Sequence, residues 1–457
     1  MDREGSKFPQ ELWLEICNLL ESEYINTDAK DDGAQGIVSG LSSLSRACRG
    51  LLQILQPVLY KTPVLIGVRS LELFFRTIVE QENLASLVQT VRWYEGEESE
   101  VDRLIEEENL QYRSYRMDED ETENEKCFDW GSEFKDKYNA KLHLLRFDLY
   151  ENTTRGSIEY MHQYPQILPL FLPNLQALDY RHDPRTHGFS VLSIYEYRSQ
   201  QALPGLRHLN VRAGPRDNFN LGSYATIFRL SRDTLEHLHF EWPFNVNEVG
   251  TWPPEPEFHH LKTLSVHQGC LGTDSFRDLL FHSPSLEEFV YRSAREKGDD
   301  VEVTAIDEGD EEQLTWTSVH EALSLVRDTL RVLELDLHAR FYKGRLESSA
   351  TFTDFKQLHS VTLSQDMLSE GSDIHSEGSQ LLVEILPKTL KHFGLTRITH
   401  DCPDSSRCIL GLAEAVCDGK FPDLETIRLD MSQLMEGQTD EYQGMKEMFG
   451  SRGVRVI

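Results

Sequence analysis

No stretch of the 457-residue chain approaches the roughly 18 consecutive apolar residues that a membrane-crossing helix needs. The N-terminus also lacks the basic-then-apolar order of a secretory signal. Cysteine is sparse and odd in number: Cys17, Cys48, Cys127, Cys270, Cys402, Cys408 and Cys417 are scattered rather than paired in a framework. That usage suits a reducing compartment, cytoplasm or nucleus, so the sequon Asn152-Thr153-Thr154 is expected to stay unmodified. Positive charge is short as well, with 46 Lys and Arg against 77 Asp and Glu, a net charge of −31. Such a balance argues against non-specific association with nucleic acid or an anionic membrane.

Recognisable catalytic motifs are missing too. There is no Gly-rich phosphate loop, no G-x-S-x-G elbow and no H-E-x-x-H. His400, Cys402, Cys408 and Cys417 are the best metal candidates. Their cysteines are separated by five and eight residues, wider than the C-x2–4-C pairs of zinc sites. The expectation is a protein with no metal, no cofactor and no enzymatic activity.

What is abundant is acid, and it is concentrated. Residues 95–125 carry fourteen acidic side chains, and 299–312 carry eight. Runs of this kind read as solvated insertions, with a docking strip for a basic partner as the sharper alternative.

Beneath the irregular spacing lies a repeat, L-x-x-L-x-φ with φ apolar. It recurs in LPNLQALDY (172–180), LPGLRHLNV (203–211), DTLEHLHF (233–240), FHHLKTLSV (258–266) and SPSLEEFVY (283–291). Further copies are DTLRVLELDL (328–337), FKQLHSVTL (355–363), KTLKHFGLT (388–396) and FPDLETIRLD (421–430), with earlier ones starting at Leu87 and Leu142. The pattern positions lie 25 to 34 residues apart, except for gaps of 54 and 44 that contain the two acidic runs. Between the copies, Val319, Ala322, Leu323 and Val326 keep helical spacing, as do Ile409, Leu412, Ala413 and Val416. Phe276, Leu279 and Leu280, and Leu381, Leu382 and Ile385, are shorter cases. Each unit thus predicts a strand, a connection and a helix. Strands joined through helices must run parallel, and stacking at a fixed period makes a curved solenoid with strands on its concave side.

From about Arg69 to Ile457 the chain resembles leucine-rich-repeat proteins, although the family's Asn ladder is missing. The first sixty residues differ. Lys7–Leu20 (KFPQELWLEICNLL) has Pro9 at a first helical position and Glu11 in the first turn, with Leu12, Ile16, Leu19 and Leu20 on one side. Leu44, Cys48, Leu51, Leu52 and Leu55 form a second apolar face, which the sequence predicts to end at Pro57. The segment resembles an F-box, on Phe8-Pro9-x-Glu11-Leu12, Ile16, SRACRGL (45–51) and PVLY (57–60), placed ahead of leucine-rich repeats as in fungal proteins. The expected fold class is therefore α/β, a leucine-rich-repeat solenoid (67–457, insertions at 95–137 and 293–314) preceded by a small all-α F-box (1–66).

The resemblance implies binding to a Skp-type adaptor, and through it to a cullin–RING ubiquitin ligase, by Phe8, Pro9, Leu12, Ile16, Leu19, Leu20, Leu44, Cys48 and Leu51. A helical cap covering the first repeat is the alternative. For the partner to be ubiquitinated, an unidentified protein, the candidate surface is the concave face. Outward strand positions there include Arg92, Arg146, Asp179, Arg181, His208, Asn210, Arg212, His237, His239, Glu241, His267 and Arg292. Rows of Arg and His suit an acidic or phosphorylated segment, and a merely solvated surface is the competing reading. Arg181 with Arg212, and His208 with His237, are expected as strand-to-strand neighbours. A ligase-independent scaffold is the alternative function.

Overall fold

The computed structural model describes residues 49–94, 168–181, 203–212, 225–241, 258–269, 271–293, 314–337, 342, 346, 351–368, 380–398, 403–430 and 440–457. The described residues up to Leu206 belong to one compact unit, and those from Arg207 onward to a second.

In the first unit, helix α1 (Arg49–Lys61) leads into strand β1 (Val64–Ile66), helices α2 (Gly67–Glu80) and α3 (Glu82–Ala85), and strands β2 (Thr90–Tyr94) and β3 (Ala177–Arg181). All three strands pair in parallel, with Val64 opposite Arg92 and Arg92 opposite Asp179. Pro57 does not end α1, which runs on to Lys61. An interior proline costs a helix about 3 kcal/mol, and tertiary contacts offset it here: Leu55 is buried, and Tyr60 stacks on Phe74 of α2 at 6.1 Å. Strand β1 lies within the segment read as helical, too short and too close to a helix to stand out.

The second unit holds strands β4 (His208–Arg212), β5 (His237–Glu241), β6 (Thr263–Gly269), β7 (Glu288–Ser293) and β8 (Val332–Asp336). They continue with β9 (Ser360–Ser364), β10 (His392–Thr396), β11 (Thr426–Leu429) and β12 (Arg455–Val456). Neighbours in sequence are neighbours in the sheet, every pair parallel. Helices α4 (Ala225–Ser231), α5 (Thr273–Phe281), α6 (Trp316–Ser324), α7 (Leu381–Ile385), α8 (Pro403–Cys417) and α9 (Asp440–Ser451) fill connections. The expected α/β repeat of strand, connection and helix is what forms.

A turn leads into each strand and ends on the first leucine of the pattern. That leucine's N–H closes a turn onto the carbonyl three residues earlier: Leu206 to Leu203, Leu261 to Phe258, Leu358 to Phe355 and Leu424 to Phe421. Both ends of each turn are buried. Leu206, Leu235, Leu261, Leu286, Leu330, Leu358 and Leu390 are each 0% exposed, worth roughly 1.5–3 kcal/mol apiece. Where successive turns meet, the backbone must come close. A Cβ on Gly205 would sit 2.7 Å from the carbonyl oxygen of Leu175.

Repeats are joined by a recurrent bond that the sequence does not advertise. The carbonyl of the residue after the pattern leucine accepts two successive N–H groups of the next repeat. Arg207 O binds Glu236 N and His237 N, both at 2.9 Å, and Lys262 O binds Glu287 N and Glu288 N, both at 2.8 Å. Arg331, His359 and Lys391 do the same. At the far end of the strands, hydroxyls carry out the linking expected of an Asn ladder. Tyr291 bonds the Gly269 carbonyl, Ser293 the Asp336 carbonyl, Ser364 the Leu337 carbonyl and Thr396 the Leu363 carbonyl.

The helices bury the predicted faces. Phe276, Leu279 and Leu280 of α5, Val319, Ala322 and Leu323 of α6, and Ile409, Leu412, Ala413 and Val416 of α8 are all buried. Thr315 caps α6, its hydroxyl accepting from Ser318 N while Ser318 Oγ accepts from Thr315 N. Trp316 then packs edge-on against Phe352 at 5.3 Å.

Candidate protein-binding face

Strand alternation sets the face. In β4 and β5 every second residue is buried, leaving His208, Asn210 and Arg212, then His237, His239 and Glu241, on the other side. Register places His208 beside His237, Asn210 beside His239 and Arg212 beside Glu241. One strand further, His239 faces Ser265 and Glu241 faces His267, and beyond that His267 faces Arg292. Three polar rows therefore cross the sheet.

The histidines meet in pairs. The His208 and His237 rings stack at 4.4 Å, 1° from parallel, as the expected neighbour relation implies. His239 and His267 meet edge to face at 4.6 Å, a diagonal contact one row apart. Burial, then the neighbouring His267, Arg212 and Arg292, lowers the His239 pKa to about 3. His267 is lowered by burial and by Arg292, and His208 by burial and by His237. These rings are neutral at physiological pH, each able to donate and accept one hydrogen bond.

The arginines of the face are matched by acids. Arg212 Nε lies 3.8 Å from Glu241, and Arg292 Nε lies 2.5 Å from Glu334 on the next strand. The Glu334 bond holds the Arg292 pKa above its ordinary value. A bare acidic-ligand clamp centred on Arg212 is therefore not what this neighbourhood presents; it presents neutral imidazoles framed by ion pairs.

In the first unit, Arg92 pairs in register with Asp179, and Arg181 ends β3 opposite Tyr94. Arg146 lies outside the described residues, as do Phe8, Pro9, Leu12, Ile16, Leu19, Leu20, Leu44 and Cys48; Leu51 lies in α1.

Three features escaped sequence reasoning. Glu334 and Asp336 are the counter-charges of the face, and Arg397, just past β10, reaches back to Asp336 at 2.5 Å and Asp366 at 4.0 Å. Arg397 is also one of two non-glycine residues with positive φ among those described, at 58°. Finally, residues just after the pattern leucines form a charge ladder. Glu236 pairs with Arg207 and, at 3.0 Å, with Lys262; Glu287 pairs with Arg331 at 3.0 Å. Alternating sign at that one repeat position was available in the sequence as a signal.

Among the described residues no group of His, Cys, Asp and Glu is placed to hold a metal ion, and no helix is long and apolar enough to cross a membrane. No protein-family model matches the chain, and no curated protein matches it. Among solved structures, a chain from the yeast Rad7–Elc1 complex is 15% identical over 79% of this chain and 97% of that one, with a TM-score of 0.22.

Proposed function

We propose that the protein is a non-catalytic substrate receptor of a cullin–RING ubiquitin ligase. Its N-terminal helices, through Leu12, Ile16 and Leu51, bind a Skp-type adaptor, and the outward face of the repeat sheet binds the protein to be modified. The observation that carries the second half is the sheet itself. Nine parallel strands, β4–β12, hold polar positions in fixed register, a rigid surface suited to a folded or extended protein partner. Support for the first half is the F-box resemblance of residues 8–60. The contribution to ubiquitin transfer is proximity, supplied by tethering.

Affinity capture of the tagged full chain, with proteasome and cullin neddylation blocked, tests the reading. Adaptor and cullin together support the receptor. Adaptor without cullin points to the ligase-independent scaffold, and neither partner overturns the receptor.

A further inference from the structure

The charge ladder alternates only part of the way across the sheet. Reading along the position after each pattern leucine, the order is Arg207, Glu236, Lys262, Glu287, Arg331, then His359, Lys391 and Glu425. After Arg331 the next place should be acidic, and it is His359 instead. Two cations therefore flank a histidine. The backbone fixes this order, since His359 N and Ser360 N both bind Arg331 O, and Lys391 N and His392 N both bind His359 O.

Of the two cations beside His359, only Arg331 is paired with an acid among the described residues. Lys391 is exposed and makes no ion pair or side-chain hydrogen bond among the described residues. Arg331 has Glu287 at 3.0 Å on its far side and donates from Nε to Gln357 at 3.2 Å. His392, 6.4 Å from the His359 ring, is occupied by Thr426 through Nδ1 at 2.8 Å. His359 Nδ1 is buried without a hydrogen-bond partner. Burial lowers the His359 pKa, and His392, Lys391 and Arg331 lower it further, with no carboxylate acting in the other direction.

We infer that Arg331, His359 and Lys391 form a docking point for an acidic peptide segment, specifically two carboxylates about three residues apart. Spacing selects that chemistry. Arg331 and Lys391 stand two strands apart, roughly 9.6 Å at the backbone, close to the roughly 10 Å spanned by three residues of an extended peptide. One phosphate is too small to reach both cations, whereas two carboxylates each take one, and the neutral His359 ring bonds the peptide between them. This rests on the receptor reading only in supplying a reason for the site, namely that the segment belongs to the bound protein.

Fluorescence anisotropy on the purified full chain tests it with three labelled octapeptides. One carries two glutamates three residues apart, one a single phosphoserine of similar charge, and one is uncharged. The spaced-glutamate peptide should bind at low salt at least about tenfold more tightly than the uncharged one, and weaken as salt rises. Lys391→Glu should abolish that difference, while Lys420→Glu, an equal charge change at an exposed turn elsewhere, should preserve it. Tighter binding of the phosphoserine peptide overturns the spaced-carboxylate assignment. Equal binding of all three, or no effect of Lys391→Glu, overturns the site. Adaptor capture by the parent chain is read separately: peptide binding without adaptor sinks the receptor reading and leaves the docking point standing.

Discussion

Replacing Arg397 by Met removes one partner of the most enclosed ion pair described. The Arg397 and Asp336 side chains are only 9% and 4% exposed, with 2.5 Å between Nε and Oδ1. Deleting the guanidinium leaves the Asp336 carboxylate in a site that water barely reaches. Breaking one side of a buried pair costs about 3–5 kcal/mol, and partial exposure of the secondary partner Asp366 favours the lower figure. Strain from the positive φ is common to Arg and Met and cancels in the comparison. The expected loss is therefore about 3 kcal/mol, measured by urea unfolding followed by tryptophan fluorescence and circular dichroism. Adding Asp336→Asn to Arg397→Met should recover part of it, because the stranded charge is gone, giving a coupling energy above about 1 kcal/mol. A single mutant within about 0.5 kcal/mol of the parent would refute the reasoning, showing that the pair contributes nothing over an exposed one.

Acid should weaken the fold through the half-buried histidine His239. His239 has a folded pKa of about 3 against an ordinary 6.5, so the unfolded chain binds the extra proton first. Its contribution is complete above about pH 6.5 and is lost as pH falls toward about 3. His239→Gln should flatten the change in unfolding midpoint between pH 7.5 and 5, and an unchanged slope would remove His239 as its source. Gly205→Ala should cost roughly 1–3 kcal/mol, since its Cβ would press on the Leu175 carbonyl. Gly444→Ala, exposed in α9 with nothing within 4 Å, should instead gain up to about 1 kcal/mol in the same assay.

The repeat was readable because its signal is apolar and periodic. Every described pattern leucine is buried, and the histidines at alternate positions emerge on the other face in the expected register. The parts not read are those whose cause is non-local or backbone-borne. Strands β1 and β12, three and two residues long, exist because a neighbour offers unpaired N–H and C=O groups, not because their own sequence insists. Pro57 sits mid-helix because packing outweighs its local preference. Hydroxyls at strand ends replace the missing Asn ladder, yet Ser293, Ser364 and Thr396 look like ordinary polar residues in sequence. Glu334 was visible as a letter, but its pairing with Arg292 depends on register across adjacent strands.

The receptor account stands most directly on contact with the adaptor. Direct binding of the purified full chain to a purified Skp-type adaptor, by titration calorimetry, should give a saturable one-to-one complex. The same titration with Leu12→Asp and Ile16→Asp should show none, because an unpaired charge at an apolar interface costs several kcal/mol, while the repeat region keeps its unfolding midpoint. Equal adaptor binding by parent and double mutant, or none by the parent, would contradict it.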